Sequence, residues 1–187
     1  MRSAAMRVFI DFEASSLGKT SYPIEVAWVF EEGREQSYLI RPPERWTDWD
    51  PAAEAVHGIA RATIERDGTP HDVVARRMVE ALSGHDLFAS APSWDGKWLS
   101  ALLRAAKLPR HALRLRDTDE AQRDGAAEIL APVVPREALG SVVEEVVRSA
   151  TPDGDPEPPA HRALADARAE LAAYRRVCAV ARDRAAR

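Results

Sequence analysis

The chain has 187 residues, 45% of them hydrophobic, with 26 Lys and Arg against 30 Asp and Glu, a formal net charge of −4. This predicts a single globular domain over residues 1–187 with a substantial core, and it excludes a protein coated in basic surface for nucleic acid. A lone cysteine, Cys178, excludes an internal disulfide and fits a reducing compartment.

No apolar stretch has the length of a signal peptide or a membrane span, so the expectation is a cytoplasmic protein with no membrane partner. The first element is Arg7-Val8-Phe9-Ile10-Asp11-Phe12-Glu13, a run of strand-formers that stops at Ala14-Ser15-Ser16. Ser15 to Ser21 reads as a loop, Ile24 to Phe30 as a second strand, and Gln36 to Ile40 as a third, ended by Pro42-Pro43. Their tight connections predict an antiparallel meander. Trp46 to Arg66 reads as helical in patches, with Pro51 in a first turn and Val56-His57-Gly58-Ile59 as a helix exit.

Asp67-Gly68-Thr69-Pro70 reads as a turn, and Val73 to Leu82 keeps the spacing of an amphipathic helix stopped by Gly84. Leu87-Phe88-Ala89 is a short strand ending at Pro92, and Ser93 is placed to cap the helix that carries Trp98, Leu99, Leu102 and Leu103. Leu113 to Asp117 reads as a fifth strand, followed by helices near Glu120–Leu130 and Arg136–Ser149. Thr151 to Pro159, with four prolines, reads as a loop. The last helix puts Ala163, Leu164, Ala167, Leu171, Tyr174 and Cys178 on one face, so Tyr174 reads as core. The sum is an α/β fold, a mixed five-stranded sheet whose first three strands form the meander, flanked by helices.

Side chains alternate along a strand, so Asp11 and Glu13 share one face, roughly 7 Å apart, and Ile10 and Phe12 share the other. Two carboxylates so placed are half of a divalent-metal site. The tripeptide alone says little, since about one Asp-x-Glu is expected by chance in so acidic a chain. Asp155-Pro156-Glu157 repeats the spacing in a stretch too rich in proline for a central strand. Asp95, in a helix first turn, and Asp166, at the margin of the last apolar stripe, each read singly as solvated charges. His161 precedes Asp166 by five residues, about 140° around a helix, so the two do not share a face. At the junction of the Pro-rich loop and the helix, His161 suits a mobile general base.

Together these residues resemble the DEDDh-type 3′-to-5′ exonucleases of the ribonuclease H-like fold, the family of the DnaQ-like proofreading exonucleases, ribonuclease T and oligoribonuclease. The resemblance runs from Arg7 to about Arg176. It rests on Ile10-Asp11-Phe12-Glu13, Pro23-Ile24-Glu25-Val26-Ala27-Trp28, Val56-His57-Gly58-Ile59, Asp95 with Trp98-Leu99, and His161-Arg162-Ala163-Leu164-Ala165-Asp166-Ala167. No other histidine has an aspartate five residues on. The chain departs from the family at Ala14-Ser15-Ser16-Leu17-Gly18, where many relatives follow Asp-x-Glu with Thr-Gly, at Ser93-Trp94 before the second motif, and in its Pro-rich loop.

The resemblance implies a two-metal phosphodiesterase using Mg²⁺ or Mn²⁺, the ions that hard oxygen ligands select. It implies that Asp11 bridges both ions, Glu13 and Asp166 hold the nucleophile-side ion, Asp95 supports the other, and His161 takes the proton from the attacking water. The implied partners are single-stranded 3′ ends of DNA or RNA, and the implied product is a nucleoside 5′-monophosphate. His57, Leu17 and Ser15 are candidates to contact substrate, the first two also serving as turn and packing residues. Trp46 and Trp49 read as a hydrophobic clasp or as stacking surfaces. Arg104, Lys107, Arg110, Arg114 and Arg116 read as solvated surface or a phosphate guide. Two rivals stay open, a non-catalytic ribonuclease H-like module binding nucleic acid or protein, and a phosphoesterase of small molecules. The oligomeric state is open too, several relatives being homodimers.

Overall fold

Strand β1 (Arg7–Ala14) lies inside the sheet, paired antiparallel with β2 (Pro23–Phe30) and parallel with β5 (Asp86–Ala89). The computed structural model describes residues 5–151 and 160–187, so the Pro-rich stretch with Asp155-Pro156-Glu157 lies outside the described residues. Strand β3 (Glu35–Arg41) extends the antiparallel meander, and β6 (Leu115–Asp117) pairs parallel to β5. A further two-residue strand, β4 (Thr69–Pro70), runs parallel to Ile40 and Arg41, giving the order β4-β3-β2-β1-β5-β6. The sheet therefore has one short strand more than the five expected. That pairing is a property of the β3 edge and leaves no periodicity in so short a segment.

Between the strands run α1 (Pro51–His57), α2 (Arg61–Asp67), α3 (His71–Leu82) and α4 (Pro92–Ala105), and after β6 come α5 (Thr118–Leu130), α6 (Arg136–Ala150) and α7 (Ala163–Ala185). Helix α4 begins at Pro92 with Ala91 at the cap, so Ser93 lies inside the first turn and does not cap it. Proline is suited to that first position because it has no N–H to satisfy and its φ is already helical. Strand β6 is shorter than the expected Leu113–Asp117 because only Leu115 to Asp117 find partners on β5.

The period of two along β1 decides what each face carries. Val8, Ile10 and Phe12 enter the larger apolar cluster, with Val74, Met78 and Leu82 of α3 and Leu99, Leu102 and Leu103 of α4. Phe9, on the other face, packs with Phe88 and with Ala167, Leu171, Tyr174 and Cys178 of α7. Asp11 and Glu13 continue that second face toward the end of β1, where α7 begins. Helices α5 and α7 approach closely at Gly125: a Cβ there would meet Tyr174 Cε2 at 2.7 Å and Cys178 Sγ at 3.1 Å. This contact sets α7 against the sheet with Asp166 at the acidic end. Among the described residues, no helix is long and apolar enough to cross a membrane.

Candidate metal centre

Asp11, Glu13, Asp95, His161 and Asp166 all line one open cleft of about 760 Å³ at the carboxyl ends of β1 and β5. Asp11, Glu13 and Asp166 each place a ligand oxygen within 4.8 Å of the others, a spacing that fits one ion. Asp95 is 2% exposed and its Oδ2 has no hydrogen-bond partner. Among the described residues no lysine or arginine lines the cleft, and six carboxylates do: these four with Asp50 and Glu170. Hard oxygens crowded together, one of them buried and unpartnered, are a donor set for a hard divalent cation.

The electrostatics follow from that crowding. Burial first, then the charges of Asp95, Glu13, Asp166 and Glu170, push Asp11 up to about 9. Burial, Asp166 and Glu25 push Glu13 up to about 7, against the pull of Arg162. Burial also pushes Asp95 up to about 7, although backbone groups of Ala91, Phe12 and Asp95 itself oppose it. In each case the folded value lies above the ordinary 3.8 or 4.5, so the unfolded chain gives up its protons first. The stability of the metal-free protein is then highest below about pH 4 as far as these groups go, and it is lost as pH rises toward about 9. We expect the melting temperature in chelator to fall by at least about 5 °C between pH 5 and pH 8, and Mn²⁺ to restore most of it at pH 8. Thermal melts with and without the ion check this. An unchanged melting temperature across that range would mean that the acids do not crowd.

His161 sits just before α7 in a left-handed conformation, φ 51°, unusual for a residue with a side chain. The turn is tied from both sides. The Asp166 carboxylate accepts N–H bonds from Ala160 at 2.9 Å and Arg162 at 3.1 Å. The buried Glu25 accepts from the Arg162 guanidinium at 2.7 and 3.2 Å and from the Ala163 N–H at 3.0 Å. The backbone on either side of His161 is thus tied by two carboxylates, and the residue lines the cleft with the acids.

His57 ends α1, and Gly58 follows with φ 68°, the left-handed cap that glycine adopts without strain. The Ile59 N–H donates to His57 Nδ1 at 3.0 Å, which leaves the proton on Nε2. That Nε2 is buried, lacks a partner, and belongs to a residue lining the cleft. Burial lowers the pKa of the imidazole, favouring the neutral ring. The residue holds its turn and keeps a free donor.

Of the loop candidates, Leu17 lines the cleft and is 71% exposed. Ser15 is fully buried: its hydroxyl donates to Asp48 at 2.9 Å and accepts from the Tyr22 N–H, and Ser16, not Ser15, lines the cleft. Trp46 stacks on Tyr22 at 5.0 Å and Trp49 donates to Glu54 at 2.7 Å, which is the clasp. Tyr174 is core. Arg116 is paired with Glu120 and Asp124, and it lies with Arg114 on a second cavity at the amino-terminal end of β5, away from the acids. Several lining residues escape sequence reading, Asp50 among them. Val56 and Trp94 are exposed apolar side chains at the mouth, and Glu170 lies one helical turn beyond Asp166. The i, i+4 spacing from Asp166 is the one signal that would have drawn attention to Glu170.

No protein-family model and no curated protein sequence matches the chain. Solved structures do match in fold. The zinc-bound form of the Escherichia coli exonuclease I complex with single-stranded DNA superposes with a TM-score of 0.64 and 16% identity, over 91% of this chain and 39% of that one. E. coli exonuclease I with a dT13 oligonucleotide gives 0.62 and 15%, over 90% and 40%. A product-bound exonuclease I structure gives 0.63 and 15%, over 94% and 43%. The chain spans about two fifths of the length of these proteins. The likeness establishes the fold, a ribonuclease H-like α/β architecture with a mixed sheet.

Proposed function

We propose that the protein is a metal-dependent 3′-to-5′ exonuclease that hydrolyses phosphodiester bonds at single-stranded 3′ ends and releases nucleoside 5′-monophosphates. One observation carries the reading: four acids and a histidine spread from residue 11 to residue 166 line one cleft. Asp11, Glu13 and Asp166 would hold a divalent ion, with Asp95 supporting a second. Such ions supply a water acidic enough to attack at neutral pH and neutralise charge on the phosphate.

The chain's own residues account for the remaining requirements. A cleft lined by six carboxylates and, among the described residues, no lysine or arginine repels a polyanion, so substrate binding as well as turnover depends on the cations. His161, lining the cleft with the acids on a tied backbone, takes the proton from the attacking water. The Nε2–H of His57 offers a donor to a phosphate or sugar oxygen. Leu17, Val56 and Trp94, exposed by 71%, 55% and 38%, form an apolar rim suited to unstacked bases and indifferent to their identity. Lys97, 4.9 Å from the Trp94 ring, braces that side chain and ties α4 to the loop through Gly18 O and Ser21.

The test is product analysis with Mn²⁺ on matched single-stranded DNA, RNA and dinucleotide substrates. The expected products are nucleoside 5′-monophosphates from at least one of them. Nucleoside 3′-monophosphates, or hydrolysis of small phosphoesters only, would refute the proposal.

A further inference from the structure

Helix α7 carries a second carboxylate into the cleft. Glu170 lies one turn after Asp166, on the same side of the helix, and lines the cleft with Asp11 and Asp95. Its surroundings are acidic: Asp166 on its own helix, and Asp117 and Asp119 at the start of α5. Its side chain is half-buried there. Among the described residues, no ion pair includes Asp11, Asp95 or Glu170. A half-buried glutamate among carboxylates destabilises the fold unless a cation joins it.

A second observation points the same way. The Oδ2 atom of Asp95 is buried without a partner, and the residue, 2% exposed, lines the same cleft. Asp11, Glu13 and Asp166 suffice for one ion. Among the described residues no other three acids bring ligand oxygens so close, so Asp95 and Glu170 stand outside that trio and would meet a second ion through its water shell. Mg²⁺ and Mn²⁺ keep part of their water shell, and an acid a few ångströms away binds them through that shell.

We infer that Glu170 is a fifth acid of the metal centre, forming with Asp11 and Asp95 the second divalent-cation position. This rests on the proposed metal-dependent nuclease reading and specifies its ligand set. The residue contributes charge and a hydrogen-bond acceptor to the hydrated ion, and leaves the Asp11, Glu13 and Asp166 position intact.

The experiment is calorimetric titration of Mn²⁺ into the metal-free full chain, with melting curves in chelator, for wild type, Glu170→Gln, Glu170→Asp and Asp183→Asn. Asp183 is an exposed acid near the far end of α7 and serves as the control. Wild type and the control are expected to bind two ions. In Glu170→Gln the weaker event should lose about tenfold or more in affinity, the tighter one should hold within about twofold, and the metal-free melting temperature should rise. Glu170→Asp, which keeps the charge, should restore part of the weaker event. A residue needed only for packing would lower the metal-free melting temperature and leave both binding events unchanged, and that result overturns the inference. One ion in wild type overturns it too, while leaving the nuclease reading standing. No Mn²⁺ binding in wild type overturns both.

Discussion

Replacing Asp11 by Asn is expected to abolish exonuclease activity, by more than about 10³-fold, while making the metal-free protein more stable. The two effects have one cause. Asp11 is the acid most strongly opposed by its surroundings, pushed up to about 9 by burial and by four neighbouring carboxylates. In wild type, the unfolded chain ionises this group near its ordinary 3.8 and the folded chain resists, so stability drains away as pH rises between those values. Asparagine does not titrate and keeps nearly the same shape. The difference in melting temperature between variant and wild type should therefore grow with pH from about 4 to about 9 in chelator. Saturating Mn²⁺ should reverse its sign, because only wild type then gains binding energy. Melting curves over that pH range check this, and a variant less stable than wild type in chelator at pH 8 would contradict it.

His161→Ala is expected to reduce turnover by about 10²- to 10⁴-fold, the usual contribution of a general base. It should leave the fold and Mn²⁺ affinity near wild type. The imidazole lies outside the trio of oxygens that meet within 4.8 Å, so an ion loses no ligand from that set. The turn is held by groups on either side of the histidine, the Asp166 and Glu25 carboxylates, and these remain. Steady-state rates on a short oligonucleotide, with Mn²⁺ titration of the same preparation, check the split. A rate within a few fold of wild type would remove His161 from the chemistry, and a parallel loss of Mn²⁺ affinity would make it a ligand.

What the sequence disclosed and what it hid divide along physical lines. The two faces of β1 were legible because alternation is local: Phe9 went to α7, Ile10 and Phe12 went to α3 and α4, and the acids followed Phe9. Gly58 marked a helix exit because its φ of 68° is a conformation that glycine adopts freely. The start of α4 lies two residues before the one that a Ser93 cap implies, since both a proline and a serine can open a helix and only the fold shows which does. Strand β4 could not be seen, its two residues being strand only by virtue of the β3 edge beside them.

The same distinction applies within the cleft. Asp95 and Asp166 read singly as surface charges, and the packing of α4 and α7 brings them together. Trp94 sits beside Asp95 in sequence, yet its significance lies in being left uncovered, which no local pattern encodes. Ser15 and Ser16 are neighbours of the same type with opposite fates. Ser15 is consumed by Asp48 and Tyr22, and Ser16 reaches the cleft while also donating to Asp48.

These acids are proposed to form a divalent-metal centre that removes nucleotides from 3′ ends. Its most direct test is a time course with a 5′-labelled single-stranded oligonucleotide bearing a free 3′-hydroxyl, incubated with wild type in Mn²⁺, in chelator, and with the Asp11→Asn variant in Mn²⁺. A ladder shortening one nucleotide at a time is expected in the first reaction, and intact oligonucleotide in the other two. Intact oligonucleotide in all three, or internal cuts without a ladder, would contradict it.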